Sequence, residues 1–133
     1  RALVRRRGED IVVVTYSAML YVALDAAEIL AKEGIELEVI DLRSLVPLDK
    51  ECVLESVRRV NKVMILHEDT RTGGMAGEIA AIVAEEAFDY LDGPVTRIAG
   101  PEVPGVPYNH VLEEWFMVNP EKIADGIRAL AAY

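Results

Sequence analysis

Short apolar runs alternate along the chain with longer segments in which apolar residues recur every three or four positions. Runs such as Ile11–Thr15 are rich in β-branched residues and too short for helices, which is typical of strands buried on both faces of a parallel sheet. We predict strands at Leu3–Arg6, Ile11–Thr15, Glu36–Leu42, Val63–Leu66 and Val95–Ile98.

The longer segments carry the start and stop signals of helices. Ser17, Asp49 and Asn119 can each accept a hydrogen bond from the first turn of a helix, and Gly34 provides a C-terminal stop. Pro120 suits the first helical position after Asn119. We predict helices from Ser17 to Lys32, from Asp49 through Val57, from Ala76 to Tyr90 and from Asn119 through Leu130.

This alternation predicts a mainly parallel sheet covered by helices on both faces, which is a three-layer α/β/α sandwich in a single domain spanning 1–133. The segment 100–118 is rich in proline and glycine and is predicted to be a surface loop. Its large apolar residues, including Trp115 and Phe116, are equally consistent with a partner's contact and with packing back over the core.

The composition narrows the classes of function. Apolar residues make up 52% of the chain, and no apolar run is long enough to span a bilayer. The net charge of −9 disfavours nucleic-acid binding and favours basic partners. We interpret Arg1, Arg5, Arg6 and Arg7 as charges that guard an exposed edge strand. Cys52 is the single cysteine, so we interpret it as a small, buried helix residue.

A candidate ligand site follows the strand Val63–Leu66. Parallel sheets bind ligands at the carboxyl ends of strands, where the strand order reverses. If this strand lies beside Ile11–Thr15, then His67 and Ser17 flank a crevice at that point. His67 could titrate near neutral pH there, or it could serve as a structural residue bonded to a neighbouring loop.

Two glycines extend this candidate site. Gly73 and Gly74 could cradle an anion with free backbone N–H groups, or they could form a tight turn that lets the next helix pack closely. They lack a complete dinucleotide fingerprint and a phosphate-loop lysine. His110 is the only other histidine and no nucleophile motif is present. These residues by themselves therefore build neither an active site nor a metal site.

Acidic residues cluster near the end of the predicted helix 76–90. Glu85, Glu86, Asp89 and Asp92 lie on this helix or just after it, and Glu85 with Asp89 forms a like-charge pair four residues apart. The cluster is either an ordinary solvated face or a docking patch for a basic partner.

Several strings occur together in the order of a known family. They are Val14-Thr15-Tyr16-Ser17, the string from Glu38 to Asp49, His67-Glu68 with Arg71-Thr72-Gly73-Gly74, the string from Ile79 to Leu91, Gly100-Pro101, Pro107-Tyr108 and Asn119-Pro120. In these strings the chain resembles the C-terminal domain of the beta subunit of the thiamine-diphosphate-dependent first component of 2-oxo-acid dehydrogenase complexes. The resemblance covers essentially all 133 residues.

The resemblance implies a fold and a parent enzyme. The fold is a five-stranded mixed sheet in the order 1-3-2-4-5 with strand 1 antiparallel, as in the transketolase C-terminal domain. The parent decarboxylates a 2-oxo acid oxidatively and transfers the acyl group to a lipoyl group, using thiamine diphosphate with magnesium. The cofactor lies between the alpha subunit and an N-terminal domain of the beta subunit that this chain lacks. The chain is thus expected to be a piece of a longer subunit, inactive alone and without bound cofactor.

The same resemblance assigns roles to the candidate residues. It implies that the crevice is an inherited feature of the fold rather than the cofactor site. The crevice residues are Ser17, His67, Glu68, Arg71, Thr72, Gly73 and Gly74. Positions that match the family's docking surface are Asp92 and the C-terminal carboxylate of Tyr133, with Glu86 and Asp89 as further candidates.

The implied partners are an alpha subunit and a second beta subunit, in a heterotetramer, and the basic subunit-binding domain of the acyltransferase core. Neither nucleic acid nor a membrane is expected as a partner. The expected location is the cytoplasm, or the mitochondrial matrix in a eukaryote. The chain departs from the family pattern by an extra residue near Gly105 and by Met117-Val118-Asn119 where Leu-Pro-Asn is common.

Two alternatives remain at this point. The first is the equivalent domain of a transketolase or a deoxyxylulose-phosphate synthase, although Arg71-Thr72-Gly73-Gly74 and Glu86–Tyr90 favour the dehydrogenase family. The second is a free-standing anion- or nucleotide-binding module, which predicts phosphate binding by the isolated chain.

Overall fold

The computed structural model describes residues 1–16, 19–43, 48–67, 73–99 and 119–133. Its strands are β1 (Leu3–Arg6), β2 (Ile11–Thr15), β3 (Leu37–Asp41), β4 (Val63–His67) and β5 (Thr96–Ala99). Its helices are α1 (Met19–Ala31), α2 (Lys50–Val60), α3 (Gly73–Glu86) and α4 (Pro120–Ala131), and a 3-10 turn at Phe88–Tyr90 follows α3. The predicted order of strands and helices is confirmed.

The strands form one sheet in the order β1-β3-β2-β4-β5. β1 runs antiparallel to β3, whereas the pairs β2–β3, β2–β4 and β4–β5 are parallel. Val13 at the centre of the sheet pairs with Val39 on one side and with Met64 on the other. The mixed sheet and its order are those that the family resemblance implied.

Successive residues of the central strands face opposite layers of helices. Val13 and its neighbours on one face pack against α1 and α4, and Val14 and its neighbours on the other face pack against α2 and α3. All five residues of β2 and of β4 are buried. The continuous apolar runs in the sequence arise from this burial on both faces, and the predicted three-layer sandwich is confirmed.

Three helix signals act as predicted. Asp49 accepts a hydrogen bond from Cys52 N at 3.3 Å, and Asn119 accepts one from Lys122 N at 2.9 Å. Gly34 follows α1 with a positive φ of 83°. The cap predicted at Ser17 and the loop predicted at 100–118, with Trp115 and Phe116, lie outside the described residues.

The third helix differs from its prediction at both ends. It begins at Gly73 rather than Ala76, although glycine has a low helix propensity. It ends at Glu86 rather than Tyr90, and Asp89 lies in the 3-10 turn. The predicted helical pair of Glu85 with Asp89 is therefore wrong. Contacts of the turn with the end of α2, described below, replace the bonds of a longer helix.

The arginines of β1 lie at the edge of the sheet, as predicted, and they pair with carboxylates of and near β3. Arg6 Nη2 lies 2.8 Å from Glu36 Oε2, and Arg5 Nη1 lies 4.0 Å from Asp41 Oδ2. Glu38, in the middle of β3, is fully buried and pairs with Arg59 of α2. The sequence pattern alone did not reveal this buried charge.

Candidate docking surface

The crevice lies where β2 and β4 end side by side. Thr15 Oγ1 donates a hydrogen bond to Leu66 O at 3.0 Å, which ties the carboxyl ends of the two strands together. His67 is the last residue of β4 rather than the first residue of a loop, and only 3% of it is exposed. The predicted adjacency of the two strands is therefore confirmed.

The remaining crevice residues are only partly described. Gly73 and Gly74 form the start of α3 rather than a turn that precedes it. The other four candidates, Ser17, Glu68, Arg71 and Thr72, lie outside the described residues, as does His110. Their roles stay predictions.

The described residues contain no group of three or more His, Cys, Asp or Glu side chains arranged to hold a metal ion. Cys52 is half-buried on α2 rather than fully buried. Burial raises the pKa of its thiol, and the nearby carboxylates of Asp49 and Glu55 raise it further. The thiol is thereby kept protonated, and a protonated thiol is a poor nucleophile.

Asp92 and Tyr133, two of the four candidate docking residues, are both exposed. Gly93, the residue after Asp92, packs against Tyr133. A Cβ atom added at Gly93 would lie 3.3 Å from Cβ of Tyr133, which is closer than most such contacts, so the absence of a side chain at Gly93 favours this packing. We call the surface formed by Asp89, Asp92, Gly93 and Tyr133 the acidic surface.

Exposed aromatic groups accompany the acidic surface. Phe88 and Tyr90 flank Asp89 in the 3-10 turn and are 69% and 47% exposed. A shallow apolar depression beside them is lined by Leu91 and Pro94, among others. Carboxylates next to exposed aromatic rings suit a partner that presents Lys or Arg together with apolar side chains.

Glu86 contributes less to such a surface. Its carboxylate lies 3.2 Å from Nζ of Lys50 on α2, and both side chains are exposed. The ammonium offsets part of the charge that a basic partner would meet.

The sequence pattern missed two residues that support the acidic surface. Asn61 Nδ2 donates to Tyr90 O at 2.7 Å, and Lys62 Nζ donates to Tyr133 O at 2.8 Å. An Asn directly after an apolar helical stretch is a signal for a left-handed helix cap. The chain carries no local signal for the long-range contacts of either residue.

Within the described ranges, no helix is long and apolar enough to cross a membrane. The fold itself defines a class of protein, an α/β domain with a mixed sheet whose first strand is an antiparallel edge. Residues 1–123 match the family described as transketolase, C-terminal domain, and the chain belongs to this family.

Relatives of the chain include beta subunits of 2-oxo-acid dehydrogenases. The chain is 44% identical over all 133 residues to the 2-oxoisovalerate dehydrogenase subunit beta of Bacillus subtilis (strain 168), of which it covers 41%. It is 46% identical over 129 residues, 97% of its length, to the mitochondrial pyruvate dehydrogenase E1 component subunit beta-1 of Arabidopsis thaliana, of which it covers 34%. The chain thus spans about two fifths or less of these relatives, and the resemblance found in its sequence is confirmed.

Solved structures show the same fold. A split-gene transketolase, described as an inactive beta4 tetramer, superposes with a TM-score of 0.84 at 28% identity, covering 99% of this chain and 42% of that one. A transketolase from Pichia stipitis superposes with a TM-score of 0.65 at 18% identity, covering 99% of this chain and 18% of that one, and shows a common fold alone. The transketolase and free-standing-module alternatives are not favoured, because the curated relatives are dehydrogenase beta subunits.

Proposed function

We propose that the chain is the C-terminal assembly and docking domain of the beta subunit of a 2-oxo-acid dehydrogenase decarboxylase. The observation that carries this proposal is the 44% identity to a 2-oxoisovalerate dehydrogenase beta subunit over the whole of the chain. The parent enzyme would decarboxylate a 2-oxo acid oxidatively and transfer the acyl group to a lipoyl group. It would assemble from this beta subunit, a second copy and an alpha subunit, in the cytoplasm or the mitochondrial matrix.

Thiamine diphosphate and magnesium belong to the parent enzyme in this proposal. Within the described residues there is no group of three or more His, Cys, Asp or Glu side chains arranged to hold a metal ion. By the family resemblance we assign the cofactor to the other parts of the parent, and we derive no reaction step from this domain. The crevice at His67 is assigned to the fold rather than to the cofactor.

The acidic surface would receive the basic subunit-binding domain of the acyltransferase core. Support comes from the net charge of −9 and from the packing of Tyr133 against Gly93, the residue after Asp92. Asp89 and the exposed ring of Phe88 would extend the contact, whereas Glu86 would contribute less because Lys50 is paired with it. Complementary charge raises the association rate and fixes the orientation of such a partner.

Titration calorimetry of the chain with a basic subunit-binding domain, at two salt concentrations, tests this assignment. We expect binding that weakens at high salt, and Asp92→Asn should lower the affinity about threefold to tenfold because it removes a charge without changing shape. Asp25→Asn is the matched control, since Asp25 is an exposed aspartate on α1. Equal affinities for the two variants would show that Asp92 does not contribute to docking. Salt-independent binding would contradict the electrostatic assignment.

A further inference from the structure

Asn61 and Lys62 are adjacent residues between α2 and β4, and together they contact both chain segments that form the acidic surface. We propose that they are positioning residues, which hold the two halves of the acidic surface in register for a docking partner. This inference rests on the proposed docking function. It adds that the geometry of the surface is set by two residues that do not themselves carry its negative charge.

Asn61 holds the segment that contains Asp92. It ends α2 in the left-handed conformation with φ 78°, which Asn adopts more readily than most residues, and its N–H donates to Val57 O at 2.8 Å. Its side-chain Nδ2 donates to Tyr90 O at 2.7 Å. Its backbone carbonyl accepts the N–H of Asp92 at 2.8 Å. A single capping residue thus fixes the chain on both sides of Leu91.

Lys62 holds the segment that contains Tyr133. Its Nζ donates to the carbonyl of Ala131, the last residue of α4, at 3.2 Å and to Tyr133 O, just beyond that helix, at 2.8 Å. A cation at this end of a helix satisfies carbonyls that lack a partner within the helix and opposes the negative end of the helix dipole. The backbone carbonyl of Lys62 accepts the N–H of Val12 at 2.8 Å, so the lysine extends from the rigid sheet.

The change in docking affinity on removal of the Lys62 charge distinguishes a positioning role from a purely electrostatic one. Lys62 places a positive charge beside a surface that is proposed to bind a basic partner. If charge alone mattered, replacing Lys62 with a neutral residue would strengthen the docking, because a repulsive charge is removed. If Lys62 positions Tyr133 against Gly93, the same replacement should weaken it.

The first measurement needs no partner. In the 133-residue chain, Tyr133 packs on Gly93, so nuclear Overhauser contacts between the Tyr133 ring and the Gly93 α protons are expected. We expect Lys62→Met to abolish these contacts. The matched control is Lys122→Met, which removes the same charge from an exposed lysine on α4 and should preserve them. Contacts that persist in Lys62→Met would overturn the positioning role.

The second measurement is the affinity of the same variants for a basic subunit-binding domain, by calorimetry. We expect Lys62→Met to bind about threefold to tenfold more weakly than the unaltered chain, and Lys122→Met to bind at least as tightly as it. Unchanged or tighter binding by Lys62→Met, together with lost contacts, would overturn the inference and leave the docking function standing. If the unaltered chain does not bind the domain, the docking assignment fails, and the positioning role fails with it.

Discussion

Gly8→Ala is expected to lower the free energy of unfolding by about 3 kcal/mol, which is a large part of the stability of a domain of this size. A Cβ atom at position 8 would lie 2.3 Å from the carbonyl carbon of Leu37 and 2.6 Å from the backbone nitrogen of Glu38. These atoms belong to β3, which is paired with β1 on one side and with β2 on the other. The strand cannot move aside without breaking both ladders.

The same substitution would also disturb the bonds that Gly8 makes. Its N–H donates to Glu38 Oε1 at 3.3 Å, and its carbonyl accepts from Arg59 Nη1 at 3.4 Å. Urea unfolding followed by circular dichroism measures the change. Gly77→Ala is the matched control, because the new methyl group would meet only the flexible Arg97 side chain, at 3.3 Å.

The control should gain up to about 1 kcal/mol from the higher helix propensity of alanine. A lower free energy of unfolding for Gly8→Ala, together with a higher one for Gly77→Ala, would establish that the close approach of Gly8 to β3 determines stability. A free energy of unfolding for Gly8→Ala within about 0.5 kcal/mol of the unaltered chain would contradict this part of the structure.

The second large effect concerns the buried carboxylate of Glu38. Burial alone raises its pKa, but hydrogen bonds from Ser56, Arg59 and Gly8, together with the charge of Arg59, outweigh burial and hold the pKa below its ordinary value of 4.5. An acid with a lowered folded-state pKa stabilises the fold above its unfolded pKa. This contribution is present at neutral pH and is lost as the pH falls below about 4.5 and through the folded-state pKa.

Arg59→Met should reverse this pH dependence. The carboxylate of Glu38 is fully buried, and Arg7, which lies 3.9 Å away and is largely exposed, compensates only in part. We expect a loss of about 2 kcal/mol at pH 7, below the range for fully buried pairs because Arg59 is itself 44% exposed. The loss should shrink as the pH is lowered, since protonation of Glu38 removes the unpaired charge.

Unfolding in urea at pH 7 and at pH 5 measures the effect of Arg59→Met. Arg58→Met is the matched control, because Arg58 precedes Arg59 on the same helix and is exposed. The control should change the free energy of unfolding by less than about 0.5 kcal/mol at both pH values. A loss in Arg59→Met that equals that of the control, or that does not depend on pH, would contradict the role of the buried pair.

The order of elements was predictable because each central strand is buried on both faces and therefore reads as a continuous apolar run. β2 and β4 are the clearest cases, since all their residues are buried. The strand order and the antiparallel edge came from the family resemblance rather than from the hydrophobic pattern. Caps such as Asp49 and Asn119 were predictable because their bonds span only three residues.

The features that escaped prediction depend on residues far apart in the chain. Glu38 reads as an ordinary polar position, yet its partner Arg59 lies 21 residues away. Asn61, 29 residues before Tyr90, bonds to the 3-10 turn that follows α3, and helix propensity could not reveal this contact. The docking residues Asp92 and Tyr133 stay predictions. The structure adds Lys62, which lies 71 residues from Tyr133 in the chain and carried no signal in the sequence.

The central claim is that this chain serves as the C-terminal part of a dehydrogenase beta subunit. The most direct measurement uses a chimera of the Bacillus subtilis 2-oxoisovalerate dehydrogenase beta subunit, to which the chain is 44% identical. In this chimera, the chain replaces the corresponding part of that subunit. Sedimentation and decarboxylation assays with the alpha subunit then report assembly and activity. A chimera carrying the domain of the Pichia stipitis transketolase, which is 18% identical and shares the fold alone, is the control.

We predict that the chimera with this chain assembles with the alpha subunit and decarboxylates the 2-oxo acid, whereas the transketolase chimera does not assemble. A folded chimera that contains this chain, but remains unassembled like the control, would contradict the account.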